Sequence, residues 1–233
     1  MDSEANPTRR PRRLVAWLAF VLALTTLAYV GRAAGTSEDT GELAYRYETT
    51  IAGVVQYGIM LGILLLIARG LPKREVFALT RPRSWRRAIG LAALALLSIW
   101  IFAVAYEGLV SLFGDWNPTE EQGLVPNEWD PSRAGAFAAF FLMVTVFAPV
   151  VEELTYRGLG VSLLLPYGVP LAILVTGVLF GATHGLLVAL PVLAFFGIAV
   201  GWLRVRTDSV YPGMLLHGTF NGVALVAAVT IAG

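Results

Sequence analysis

The chain has 233 residues, of which 57% are apolar and only 14% charged, with a mean hydropathy of +0.70 and a formal net charge of +1. Ordinary globular domains carry roughly 25% charged residues, so this composition excludes a soluble domain and identifies a membrane protein. Cysteine is absent, which excludes disulfides, thiolate nucleophiles and cysteine-ligated zinc.

Six stretches, residues 14–30, 49–68, 88–106, 134–151, 158–203 and 209–233, contain no Asp, Glu, Lys or Arg. At about 20 residues per crossing, each can span a bilayer. The stretch 158–203 is long enough to cross twice around the turn signal Pro166-Tyr167-Gly168-Val169-Pro170. The expected fold is therefore all-α, a polytopic bundle of about seven membrane helices, or eight if one stretch breaks differently. The first stretch follows a basic cluster as a signal peptide would, but it is long for one and is expected to be retained as the first crossing. No internal repeat or nucleotide-binding glycine pattern suggests a second unit. One membrane domain over 1–233 is expected, with a basic tail over 1–13.

Basic residues fall in alternate connections. Arg9, Arg10, Arg12 and Arg13 precede the first crossing, Arg69, Lys73, Arg74, Arg81, Arg83, Arg86 and Arg87 lie between the second and third, and Arg204 and Arg206 precede the last. The other loops carry Glu38, Asp39, Glu42, Asp115, Glu120, Glu121, Glu128 and Asp130. By the positive-inside rule the amino terminus is cytoplasmic and the acidic loops face outward. This predicts an integral protein of the cell membrane. The basic connection at 72–87 mixes apolar with cationic residues and is read as retention charge, or as a segment lying on anionic lipid.

The polar residues inside apolar sequence are few. The run Phe147-Ala-Pro-Val-Val-Glu-Glu-Leu-Thr-Tyr-Arg-Gly158 holds Glu152, Glu153 and Arg157, and a charged group at membrane depth costs at least ~3 kcal/mol. On a helix Glu153 and Arg157 stand one turn apart and can pair, whereas Glu152, roughly 100° away around the axis, has no partner nearby in sequence. A kink is expected at Pro149. The two histidines of the chain follow, His184 after Phe180 at i+4 and His217 before Asn221 at i+4, each trailed by glycine. Both are expected inside membrane helices. Taken singly, an intramembrane histidine is commonly a packing residue, and Glu107 reads as interfacial.

Depth brings the three segments together. If the fourth helix continues to Leu165, then Glu152 and His184 each lie about 14 residues, on the order of 20 Å, from the Tyr167 turn, and His217 lies roughly 12 Å in from Ser209. A carboxylate, two imidazoles and an amide around a wet cavity suit amide hydrolysis by water. Glu152 can act as general base, His184 can hold the water or ligate a metal, and His217 with Asn221 can stabilise an oxyanion. No serine or threonine stands in a convincing nucleophile setting.

The order Glu152-Glu153-x-x-x-Arg157, then Phe180-x-x-x-His184, then His217-x-x-x-Asn221 resembles the CPBP family of intramembrane proteases, the type II CAAX prenyl endopeptidases. The resemblance covers about the last hundred residues, with a catalytic core over 134–225. It implies Glu152 as catalytic glutamate, His184 as its partner on the water, His217 and Asn221 at the oxyanion, a structural pair Glu153–Arg157, and Phe180 as a packing residue of the motif. The implied activity is cleavage of a peptide bond in a membrane-associated protein, lipidated or not, and no particular substrate is implied. Membrane lipids are the other expected partners, and no nucleic acid is expected. The metal-free route is preferred, with zinc on Glu152, His184 and His217 as the alternative. The competing reading is a transporter or an immunity-type binding protein that uses the same polar cavity, although the paired broken repeats typical of transporters are missing.

Overall fold

The computed structural model describes residues 9–35, 40–114 and 129–231. Outside the described residues lie most of the basic tail and the outer-loop acids Glu38, Asp39, Asp115, Glu120, Glu121 and Glu128, and of Glu42 only the backbone is described. The described chain is built of helices and their connections, with no strand among these residues. The helices are α1 (Arg9–Ala34), α2 (Tyr47–Ile67), the short α3 (Lys73–Val76), α4 (Trp85–Val110), a long irregular α5 (Pro131–Tyr167), α6 (Val169–Ala182), α7 (Leu190–Thr207) and α8 (Tyr211–Ile231). Six of them are long and apolar enough to cross a membrane, and α6 is a shorter apolar helix. The polytopic bundle expected from composition is thus the fold.

Punctuation residues divide the sequence where it gives no charge signal. Pro131, Pro170 and Pro191 stand in the first turns of their helices, where a missing N–H costs nothing. Gly168, with φ +117°, separates α5 from α6, and Gly185, with φ +68°, follows the end of α6. The 158–203 stretch therefore contains the end of α5, all of α6 and most of α7. At ~1.5 Å per residue the 14 residues of α6 rise only about 21 Å, short of a ~30 Å hydrocarbon core.

Large apolar side chains such as Leu22, Ile59, Leu97, Ile101, Leu142 and Leu174 are exposed, as lipid-facing surface should be. The interior is built around Trp17, Tyr156, Leu159, Phe180, Phe196 and Leu203. Helices α6 and α7 approach closely through small residues. A Cβ on Gly197 would lie 2.5 Å from the Gly177 carbonyl oxygen, and one on Gly181 would lie 2.8 Å from the Ala194 nitrogen. Such contacts let backbones pack where lipid supplies no hydrophobic drive between helices.

The basic connections gather at one end of the bundle. Arg13 donates to the Arg69 carbonyl (2.8 Å), Thr80 donates to the Asp208 carbonyl (2.6 Å), and the Val210 amide donates to the Ala78 carbonyl (3.2 Å). The 72–87 connection is more than a charged surface segment, because Phe77 is buried and packs against the backbone of Gly158. Glu107 is exposed near the end of α4, in accord with an interfacial place.

Helix α1 is locked to α5 by Trp17, which is fully buried and donates from Nε1 to the Thr155 carbonyl at 3.0 Å. Its ring lies where a side chain on Gly160 would be. The substitution Gly160→Ala should therefore overpack this contact and destabilise by about 1–3 kcal/mol, read as a lower melting temperature in detergent. Gly160→Ala in a Trp17→Ala background should recover part of that loss, since the obstructing ring is gone.

Candidate active site

Both carboxylates lie in the regular turn Ala148–Glu153, between two π-helical segments, Met143–Phe147 and Leu154–Gly160. Single π turns inside α-helices recur at functional sites, and the first one has a local cause here. The Ala148 amide donates to Met143 five residues back. Continuing that register would pair residue 149 with the Val144 carbonyl, but proline has no N–H to give. Asn221 of α8 fills the vacancy, donating from Nδ2 to Val144 at 2.9 Å. Gly218, one turn before Asn221 on α8, has its backbone against the Thr145 carbonyl, where any side chain would collide. The kink expected at Pro149 is thus a π turn, and α8 docks on the carbonyls it presents.

Glu153 and Arg157 form the predicted i,i+4 pair at 2.8 Å, and both are 0% exposed. Arg157 Nη2 also donates to the Gly197 carbonyl of α7 at 3.0 Å, and its guanidinium carbon lies 4.4 Å from the centre of the Phe180 ring. Phe180 is the common wall of the site. Its ring stands edge-on to His184, with centroids 4.8 Å apart, and to His217, 5.5 Å apart. Cation–π contact of this kind gains strength where water is excluded.

The two nitrogens of one imidazole face the two carboxylates. His217 Nδ1 is 3.0 Å from Glu153 Oε1, and His217 Nε2 is 3.5 Å from Glu152 Oε2. Glu152, 8% exposed, accepts on its other oxygen a hydrogen bond from the Tyr57 hydroxyl of α2 at 2.5 Å. The carboxylate without a partner in local sequence therefore has partners from two other helices.

His184 is not inside a helix as expected. α6 ends at Ala182 because Gly185 takes a left-handed conformation, and the closing bonds run from Thr183 to Leu179, His184 to Gly181 and Gly185 to Ala182. Because α6 is too short to cross, this turn falls at membrane depth. Irregular backbone is tolerated there only when protein covers it or it lines a cavity. Gly185 packs on Ala28 of α1, and His184 Nδ1 lies 2.8 Å from the Phe180 carbonyl. The hydroxyls of Tyr156 and Thr183 meet at 2.7 Å on the same wall.

Glu152, Glu153, Arg157, Phe180 and His217 thus form one cluster, with His184 joined to it through Phe180. Asn221 faces the same helix, with one amide hydrogen committed to Val144. Among the described residues no three His, Asp or Glu side chains form a group that could hold a metal ion, and both nitrogens of His217 already face carboxylates. Of the residues of the zinc alternative, Glu152 and His217 face each other at 3.5 Å, and His184 is joined to them through Phe180. Tyr57 is the contributor that sequence spacing misses. Its one signal is a phenol in the middle of an apolar span, which needs a hydrogen-bond partner.

A buried acid–imidazole cluster inside a polytopic helix bundle defines a membrane protein with an internal polar site. Residues 134–223 match the family model described as type II CAAX prenyl endopeptidase Rce1-like, and the match encloses every motif residue from Glu152 to Asn221. At the level of that family, the match supports a CAAX-type intramembrane endopeptidase. No match was found among curated proteins or solved structures.

The ion pair yields a stability test. Glu153→Gln removes the paired counter-charge of the fully buried Arg157 and should destabilise by about 3 kcal/mol or more, seen as poor expression and a depressed melting temperature. Adding Arg157→Met should restore much of the loss, since no unpaired charge then remains. A single variant that melts like the parent would remove the pair from the folding account.

Proposed function

We propose that this protein is an intramembrane endopeptidase in which water, activated by Glu152, hydrolyses a peptide bond of a membrane-associated, lipidated or transmembrane protein. One observation carries the reading: Arg157 makes its ion pair with Glu153, while Glu152 has Oε1 on Tyr57 and Oε2 beside His217. A carboxylate held this way has an acceptor oxygen for a proton and a fixed orientation from which to take it.

In this scheme Glu152 Oε2 removes a proton as the water oxygen bonds to the scissile carbonyl carbon. The same proton then passes to the leaving nitrogen as the carbon–nitrogen bond breaks, giving a new carboxyl terminus and a free amine. His184, in the turn at the end of α6, holds the water opposite Glu152. His217, held at Nδ1 by Glu153, offers its Nε2 hydrogen to Glu152 in this scheme. As Glu152 takes up the proton, its hold on the Nε2 hydrogen of His217 weakens, and that hydrogen is free to stabilise the oxyanion. Asn221, a turn away, has a second amide hydrogen for the same purpose. The protein sits in the cell membrane with its amino terminus cytoplasmic, since Arg13, Arg69, Lys73, Arg74, Arg204 and Arg206 lie in the helix ends and connections that meet at one end of the bundle.

Cleavage in detergent of two quenched fluorogenic peptides, one farnesylated and one with a transmembrane anchor, tests the activity. Glu152→Gln should fold normally and lose at least ~10²-fold in turnover, whereas near-normal turnover would take Glu152 out of the mechanism. Metal content decides the route: one tightly held zinc per chain, lost in parallel with activity, overturns the metal-free version.

Orientation has its own test, made simple by the lack of native cysteine. Tyr167 is exposed at the end of α5, next to the turn into α6. Tyr167→Cys should react with an impermeant maleimide only after the inner face of the membrane is opened. Labelling in intact cells would invert the topology.

A further inference from the structure

The segment that matches the family model begins at residue 134, yet one hydrogen bond to Glu152 comes from far outside it. We propose that Tyr57 of α2 is a positioning residue of the hydrolytic site, fixing the carboxylate of Glu152 so that a single oxygen faces the reaction. This inference rests on the reading of Glu152 as the base.

Three observations place the phenol. Its hydroxyl donates to Glu152 Oε1 at 2.5 Å, the range of short hydrogen bonds to ionised carboxylates. Its ring meets Phe147 edge-on, with centroids 6.3 Å apart and planes at 88°, and packs against the cluster of Phe137, Phe140 and Met143. One turn earlier on α2, Gly53 lies so close to Met143 that a Cβ would stand 2.8 Å from its terminal methyl carbon. Glycine there brings α2 onto the first π turn, and the phenol then reaches the carboxylate from a half-buried, packed ring.

A carboxylate has two equivalent oxygens and a soft terminal torsion. With Oε1 occupied by Tyr57, proton transfer is left to Oε2, the oxygen that faces His217. Without the phenol the group can rotate, and both oxygens compete for the water. Small losses of alignment at a reacting group cost large factors in rate. The bland alternative is that Glu152 merely satisfies a buried hydroxyl, in which case removing the hydroxyl changes stability and not rate.

The experiment uses the full chain and the two fluorogenic peptides. Tyr57→Phe keeps the ring and removes the donor. It should lower kcat by about 10-fold or more, with KM within about twofold and an unchanged melting temperature. In a Glu152→Gln background the same change should cause no further loss, because the two residues act as a unit. A parental kcat in Tyr57→Phe, a loss that merely follows reduced stability, or an additive loss in the double variant overturns the inference. A readout without turnover is infrared difference spectroscopy: the carboxylate band that vanishes in Glu152→Gln should move in Tyr57→Phe, and an unmoved band is equally fatal. The two failures are distinct. Turnover that survives Glu152→Gln sinks the hydrolytic reading, while an inactive Glu152→Gln beside a fully active Tyr57→Phe sinks only the role of Tyr57.

Discussion

A guanidinium with no solvent exposure must be neutralised where it stands, and Arg157 is neutralised from three directions. Glu153 supplies the counter-charge at 2.8 Å, the Gly197 carbonyl of α7 takes a second N–H, and the face of Phe180 on α6 receives the cation. The carboxylate of Glu153 in turn lies 3.0 Å from His217 of α8. Helices α5, α6, α7 and α8 are thereby referred to one buried charge. Removing a partner from such a set leaves an uncompensated ion in low dielectric, so the geometry of the site and the stability of the bundle are one constraint.

That constraint separates the roles of two adjacent glutamates. Both are nearly or wholly buried, but only Glu153 meets the arginine. Glu152 points to a phenol and an imidazole, which orient it. The chemical difference between neighbours in sequence comes from their angular separation on the helix, carried into contact with different helices. Proline at 149 adds a second specification. It leaves the Val144 carbonyl without its backbone donor, and Asn221 and Gly218 fit α8 to the exposed carbonyls. Irregular backbone is thus covered by protein at two of these places: by α8 at the first π turn and by α1 at Gly185.

The amino-terminal helices take part in this arrangement. Trp17 holds the Thr155 carbonyl, Phe77 packs on Gly158, and Tyr57 bonds Glu152. Each contact falls within a few residues of the paired carboxylates on α5. The part of the chain outside the matched segment therefore acts as a clamp on the segment that carries the chemistry, and its apolar, featureless sequence conceals that role.

What the sequence determined by itself was whatever depends on local spacing and transfer energy. Long charge-free stretches specify membrane helices because each crossing must bury about 20 residues in hydrocarbon, and Glu153 finds Arg157 because residues four apart share a helix face. The placing of His217 and Asn221 on one helix was legible for the same reason. The tertiary structure alone decided the rest. Glu152 meets Tyr57 across 95 positions, and Trp17 meets Thr155 across 138, separations at which helical periodicity carries no information. The turn that holds His184 lies outside any helix because Gly185 takes a positive φ, and the Asn221 amide reaches Val144 only because Pro149 leaves that carbonyl unfilled. Local pattern sets which side chains one helix presents to one side; which helix lies on that side is fixed by packing small residues and satisfying buried polar groups over the whole bundle.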